Sequence, residues 1–321
     1  MDKIRLHKQV SVYLKQISNF DYTVPEIQRN IENYGVLVDR VMSNNRLQWL
    51  YQGQKIDLQH WPARSHGNFE NVKILQDTKE YLLLFKPQGV VVEPGAGHQK
   101  NNLVEWLKKT YDYNDIYLVH RIDKDTQGLL LLAKKPEYLD FLQNQFRERS
   151  VIKKYLAIVD NSVDKLWIVN NWQSRDKRNV VKQKLFWTES EAKKYDKNVR
   201  DAKSVISPKF YCKELNQTLI EIEIKTGRTH QIRLQCEALG FPISNDKVYN
   251  SEVNLNIKNY LKNNSNIEEI SHAKIKHLNR IEFLKLTQEI FGEVEYCLLS
   301  NYLKIQSISG TWIEAFWRKI D

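Results

Sequence analysis

The sequence predicts a folded α+β protein in two parts, a small N-terminal module and a larger main domain. Three observations carry this. Within the first 60 residues, apolar side chains at helical spacing (Val10, Tyr13, Leu14, Ile17) precede short β-like runs. Farther along, amphipathic stretches at 101–111 and 137–149 are interleaved with strand-like runs, and LIEIEI at 219–224 alternates strictly. Between the parts, residues 61–71 (WPARSHGNFEN) hold the Pro, Gly, Ser and Asn of a linker.

Composition bounds the rest. A chain of 321 residues, 41% hydrophobic and 11% aromatic, buries a substantial core and is not disordered overall. A formal charge of +10 gives a surface that concentrates phosphates, which favours nucleic acid or an anionic membrane face as partner. No run approaches about eighteen apolar residues, and MDKIRLHKQV lacks the apolar core of a signal peptide, so a cytoplasmic protein is expected. Cys212, Cys236 and Cys297 lie far apart, with neither a disulfide framework nor zinc spacing, and read as small hydrophobes.

In the first 60 residues, TVPEIQRNIENYGVLV places Thr23 as N-cap, Pro25 in the first turn and Gly35 just past the end of a second helix. VLVDRVMSNNRLQWLYQGQKIDL then alternates β-like runs with the turn residues Ser43, Asn44, Asn45 and Gly53, predicting a ribbon. Two helices plus a ribbon carrying Arg29, Arg40 and Arg46 resemble the S4-like RNA-binding module. The main domain, 72–321, opens with two apolar runs broken by Lys86-Pro87-Gln88-Gly89, a tight turn between strands. Helices follow at 101–111 and at 137–149, the latter with its stripe at Tyr138, Leu139, Leu142 and Phe146. KYLAIVD is read as a strand, and IRLQCEALG as a helix stopped by Gly240. Two stretches look inserted: 172–204, rich in charge and expected as a mobile basic loop or exposed helix, and 250–300, which opens with the Asn- and Lys-rich 250–280.

Chemistry concentrates in LVHRIDKDTQGLLLLAKK, 118–135, where a carboxylate immediately precedes an apolar run. Such a group is costly unless compensated. HRIDKDTQG admits four readings: a plain turn, a DxD metal site on Asp123 and Asp125, an RNA-phosphate contact through His120 and Arg121, or a catalytic aspartate. A second string, KTGRTHQIRLQCEALGFPISND at 225–246, supplies Arg228, His230 and Arg233. An arginine fork is suited to a half-buried carboxylate, so an Asp123–arginine pair is expected, lowering the aspartate's pKa. His230 is read as a satisfied structural histidine.

HRIDKDTQGLLLLAK, KKYLAIV and TGRTHQIRLQCEALGFPI, in this order and approximate spacing, resemble the signature blocks of the RluA family of RNA pseudouridine synthases. The resemblance spans about 72 to 249 and resumes near 303–315. It implies the pseudouridine synthase fold, with a mixed, largely antiparallel, curved sheet, and the isomerisation of specific uridines in structured RNA, ribosomal or transfer, with ribosomal the more expected of the two. It further implies that Asp123 is the central catalyst and that Tyr155 stacks on the target uracil and has a base role. Arg233 matches the basic residue paired with the aspartate, Arg228 being the second choice. Arg121 matches the arginine that enters the helix in place of the extruded uridine, and Lys153 the lysine two before the tyrosine. Neither cofactor nor metal is implied, and a monomer acting on RNA, away from membranes, is expected. The chain departs from the family pattern at Gln127, where a small hydroxyl residue is usual, at Gln235 in place of histidine, and at Asn245 in place of glycine. The alternative from another class is a non-catalytic RNA-binding or RNA-folding factor that retains the pocket.

Overall fold

The computed structural model describes residues 3–17, 24–58, 69–93, 102–113, 115–179, 182–249, 267–272, 275–293 and 296–317. The expected cap Thr23 and most of the expected linker and of 250–280 lie outside these residues.

At the N-terminus, Leu6, Val10 and Leu14 fall on one face of α1 (Leu6–Ile17), and Ile27 and Ile31 on one face of α2 (Val24–Tyr34). They are buried together with Val36, Val38 and Leu50. Gly35 closes α2 with φ +74°, donating its N–H to Ile31 O at 2.9 Å. The expected ribbon is present as two small antiparallel sheets. One pairs β1 (Lys3–Arg5) with β4 (Trp49–Tyr51), and the other joins β2 (Val36–Val38), β3 (Val41–Ser43) and β5 (Ile56–Asp57).

The contacts divide the chain into two units, Met1–Gly67 with Val91–Asp112, and Asn68–Val90 with Tyr113–Asp321. Val91–Asp112, expected within the main domain, thus groups with the N-terminal residues. The run at 90–93 is not a strand as expected. The carbonyls of Val91 and Val92 instead accept the N–H groups of Leu103 and Val104, at the start of α3 (Leu103–Tyr111), which no helix carbonyl reaches.

The larger unit is built on one mixed sheet. Its strands are β6 (Lys73–Asp77), β7 (Tyr81–Lys86), β8 (Tyr117–Leu118), β9 (Gln127–Ala133), β10 (Ile152–Asp160), β11 (Lys165–Arg175) and β12 (Gln183–Phe186). The others are β13 (Arg200–Cys212), β14 (Gln217–Ile224), β15 (Ile267–His272), β16 (Lys276–His277), β17 (Leu298–Gln306) and β18 (Trp312–Phe316). The central order is β12-β11-β13-β14-β10-β17-β9-β7-β6. Among the described residues, pairing is antiparallel except for β9 with β17 and β13 with β16. The helices are α4 (Pro136–Arg147), α5 (Glu189–Tyr195), α6 (Gln231–Ala238) and α7 (Arg280–Phe291).

Every residue of β9 is buried, which is why its sequence runs apolar without alternation. Leu129 and Leu131 share a cluster with Leu142 of α4 and with Leu303 and Ile305 of β17. Leu156, Leu219 and Leu299 pack with Phe283, Ile290 and Phe291 of α7. Each such side chain contributes roughly 1.5–3 kcal/mol by leaving water. The mixed, largely antiparallel sheet and the α+β class are as expected.

The stretch 172–204 is a correction. In place of a mobile loop, most of it extends the sheet through β11, β12 and the start of β13, with Trp172 opposite Phe186 and Asp201. The helix α5 is there, but short. Cross-strand partners rather than local apolar anchors organise this segment. Among the described residues no helix is long and apolar enough to cross a membrane.

Candidate active site

The site grows from the parallel pairing of β9 with β17, where Gln127 faces Leu299 and Gly128 faces Ser300. Gly128 has φ +118°, and a Cβ there would lie 2.2 Å from Ser300 O, so only glycine allows this approach. Gln127 is buried and donates Nε2–H to Phe291 O at 3.0 Å, tying the start of β9 to the end of α7. The longer side chain in place of a small hydroxyl therefore makes the hydrogen bond its length permits.

The loop before β9 is pinned by a residue the sequence reading left unassigned. Lys86, fully buried, donates from Nζ to Pro87 O (3.0 Å), Val90 O (2.9 Å) and Lys124 O (2.8 Å). Burial pushes its pKa down to about 7, opposed in part by Asp125 and Asp123. A lysine ending an apolar strand directly before proline was the available signal. Gly89 N–H adds a second bond to Lys124 O at 2.9 Å, and Thr126 N–H bonds Asp123 O at 3.2 Å. This scaffold holds Asp123 half-buried in the wall of a cleft of about 490 Å³. Among the described residues, nothing forms a hydrogen bond or ion pair with its carboxylate.

Tyr155 lies on β10 beside Ser300, next to an irregularity where Lys154 faces Tyr302 and Tyr155 faces Ser300. A bulge of this kind re-aims side chains. Only 7% exposed, Tyr155 has its phenol pKa raised chiefly by burial, against a lowering from the Ser300 hydrogen bond and with a lesser raising by Asp123 nearby. The neutral phenol suits a stacking surface and disfavours the base role implied for it. Lys153 also lines the cleft, its Nζ 5.0 Å from the Phe146 ring centroid. Burial and the charge of Arg228 push it down to about 8.

The expected arginine partnership is corrected. Arg233 sends Nε to Asp246 Oδ2 at 2.7 Å and Nη2 to Oδ1 at 2.8 Å, both groups buried. Asp246 also accepts Val248 N–H and Tyr249 N–H at 2.8 and 2.9 Å. Asn245 precedes it with φ +61°, a left-handed turn that explains why glycine suits this position and asparagine substitutes for it. Arg233 still lines the cleft, and Asp123 acts on it through its charge. The second choice, Arg228, pairs with Asp201 (Nη2 to Oδ1, 2.9 Å), a carboxylate it shares with Arg149.

His120 is expected as a substrate-binding residue, with an RNA-phosphate contact one of the four readings of its motif. Its Nε2 instead accepts Leu131 N–H at 3.1 Å while the ring stacks on Phe146, and burial, with a smaller contribution from Lys153, pushes its pKa down to about 3. The ring is neutral and without the charge that role required. Arg121 is exposed and lines the cleft. Beneath the site, Gln235 accepts from Ser204 Oγ and donates to Asn171 Oδ1, each at 2.7 Å, fastening α6 to β13 and β11. Among the described residues no group of three or more His, Cys, Asp or Glu joins Asp123 and Asp125.

A carboxylate without a hydrogen-bond or ion-pair partner among the described residues, a buried aromatic and several cations thus share one cleft. Residues 80–238 match the family described as RNA pseudouridylate synthase. Ribosomal large subunit pseudouridine synthase D of Borreliella burgdorferi is 31% identical over 188 residues, 56% of this chain and 54% of that one. Ribosomal large subunit pseudouridine synthase C of Buchnera aphidicola subsp. Schizaphis graminum is 35% identical over 195 residues, 60% and 58% respectively. The chain thus spans little more than half the length of these relatives. The solved structure of Human RNA Pseudouridylate Synthase Domain Containing 1 superposes with TM-score 0.54 at 19% identity, covering 79% of this chain and 85% of that one, which shows a shared fold.

Proposed function

With residues 80–238 matching the RNA pseudouridylate synthase family, we propose that this chain isomerises specific uridines in structured RNA to pseudouridine, in ribosomal rather than transfer RNA. The observation that carries the proposal is Asp123, whose carboxylate lines the cleft and makes no hydrogen bond or ion pair among the described residues. Isomerisation breaks the bond from N1 of the base to C1′, turns the uracil and joins C5 to C1′. It needs a carboxylate at the sugar, acting as base at C2′ or as nucleophile toward C1′. It also needs the base out of its stack, which costs a few kcal/mol and calls for a surface to receive it.

Asp123 is the catalyst in this reading, and the neutral ring of Tyr155 receives the flipped uracil. Arg121, in the cleft wall, fills the space the nucleotide leaves. Lys153 and Arg228 meet the backbone phosphates, giving an affinity that falls steeply with salt. Arg233 acts at a step removed, as a fixed positive charge near Asp123. The N-terminal module, residues 1–60, is read as an S4-like RNA-binding domain, and the protein as a cytoplasmic monomer.

The test is pseudouridine mapping of total RNA from cells with and without the gene, complemented by wild type or Asp123→Asn. A uridine whose modification disappears with the gene and returns only with wild type supports the reading and identifies the substrate. An unchanged map, with RNA binding retained, would replace it with the non-catalytic RNA-binding factor.

A further inference from the structure

Tyr249 is 1% exposed, so its hydroxyl proton needs an acceptor inside the protein. The oxygen already accepts the backbone N–H of Gln183 at 2.7 Å, a group that can only donate. Among the described residues its one other hydrogen-bond partner is His230 Nδ1, at 3.0 Å. Were that nitrogen protonated, the tyrosine oxygen would receive two donors while its own buried proton had no acceptor among the described residues. This arrangement favours donation from the hydroxyl to Nδ1, which leaves the neutral imidazole its hydrogen on Nε2. Burial is the main cause that keeps the ring neutral, against the opposing pull of Asp123.

His230 lines the same cleft as Asp123, and among the described residues its Nε2–H has no hydrogen-bond partner. The ring is also fixed in place. It sits at the start of α6 in a left-handed backbone (φ 57°) and meets the Tyr249 ring edge-on at 5.5 Å. One nitrogen is thus satisfied, as expected of a structural histidine, and the other is a preset neutral donor on a residue that lines the cleft.

We propose that His230 is a substrate-binding residue whose Nε2–H donates to a carbonyl oxygen of the target uracil. This rests on the pseudouridine synthase reading and adds a base-recognition element to it. As the N1–C1′ bond breaks, negative charge spreads over the departing base onto its carbonyl oxygens. A donor held in place beforehand stabilises that charge without reorganisation. His230 keeps its proton throughout. Cytosine carries an amino group where uracil has one of its two carbonyls, so a donor meeting that edge also disfavours the wrong base.

The test uses the full-length protein and the RNA identified by mapping. Nitrogen-15 spectra of histidine-labelled wild type are expected to show His230 as the Nε2–H tautomer, with a mixture of tautomers in Tyr249→Phe. Under single turnover, His230→Phe, which keeps the ring and removes the donor, should slow pseudouridine formation about 10²–10³-fold, with RNA affinity within about twofold of wild type. His230→Gln, which restores an N–H, should recover at least about tenfold of that rate. An Nδ1–H tautomer in wild type overturns the proposal, as does an unaltered rate in His230→Phe. If His230→Phe does not fold, the wild-type tautomer and the glutamine variant decide it. A wild type inactive on every RNA would overturn the underlying enzyme reading, and the uracil contact with it, whatever the tautomer.

Discussion

Asp123 and Asp246 are carboxylates of one unit of the fold in opposite electrostatic circumstances. Asp246, with its side chain fully buried, takes both arms of Arg233 and two backbone N–H groups. Those bonds hold its pKa below the usual value although burial alone would raise it. Asp123 stands half-buried in the cleft, with neighbours that sense its charge but, among the described residues, make no bond to it. The difference separates architecture from reactivity. A carboxylate whose lone pairs are filled anchors a helix, and one left open can approach a ribose. Arg233 lines the same cleft as a fixed charge while its hydrogen bonds are committed to Asp246.

The largest effect expected is on activity. Asp123→Asn should lower pseudouridine formation by about 10⁴-fold while leaving the melting temperature and RNA affinity unchanged, as read by single-turnover assay and thermal scan. If the loss followed from unfolding, Asp123 would resemble Asp246 and the contrast would collapse. Asp246→Ala should do the reverse, costing about 3–5 kcal/mol of stability by leaving Arg233 buried without its partner. The double replacement Arg233→Met, Asp246→Leu should regain the part of that stability lost to the unpaired guanidinium in urea unfolding, while the N–H groups of Val248 and Tyr249 stay without their acceptor. It should remain impaired in activity, because the charge near Asp123 is gone.

Third, Gly128→Ala should cost about 3 kcal/mol, since the new methyl overlaps the backbone of Ser300 and the left-handed φ strains any side chain. Urea unfolding reads it, and an unchanged midpoint would mean that β9 and β17 can separate without penalty.

The smallest effect concerns Lys86. Its folded pKa of about 7 lies below the value of 10.5 for an exposed lysine. Between those two pH values the unfolded chain holds more protons than the folded one, so this residue makes stability rise with pH across the window. Comparing wild type with Lys86→Met from pH 7 to 9.5 should show that rise only in wild type. The variant should also lose about 1–3 kcal/mol at the upper end, where the neutral amine of wild type still supplies two N–H donors to the carbonyls around it.

Local pattern revealed more of the fold than of the site. The four-residue spacing in α1, the alternation of β14 and the unbroken apolar run of β9 report their own burial, because helix and strand periodicity is imprinted within a few residues. The strands at 172–204 were hidden for a related reason. Asn171, Gln173 and Ser174 are buried although polar, so charge and polarity there mimic a solvated loop. Asn171 is kept inside by Gln235, 64 residues away, which no local window contains. Lys86 was illegible on the same ground, since a lone lysine declares nothing of the three carbonyls that converge on it.

The amino-acid string alone determined the α+β class, the positions of most elements, and the three blocks that carry Asp123, Tyr155 and Arg233 into one domain. Tertiary structure decided which carboxylate Arg233 holds. A guanidinium in the string has many candidate acids, and the choice fell to Asp246 because the left-handed turn at Asn245 follows α6 and brings it back within 2.7 Å. Tertiary structure also decided that Gly128 must be bare, because the backbone it approaches belongs to a strand some 170 residues later. Periodicity records which way a side chain faces. It does not record which distant group will be there to meet it.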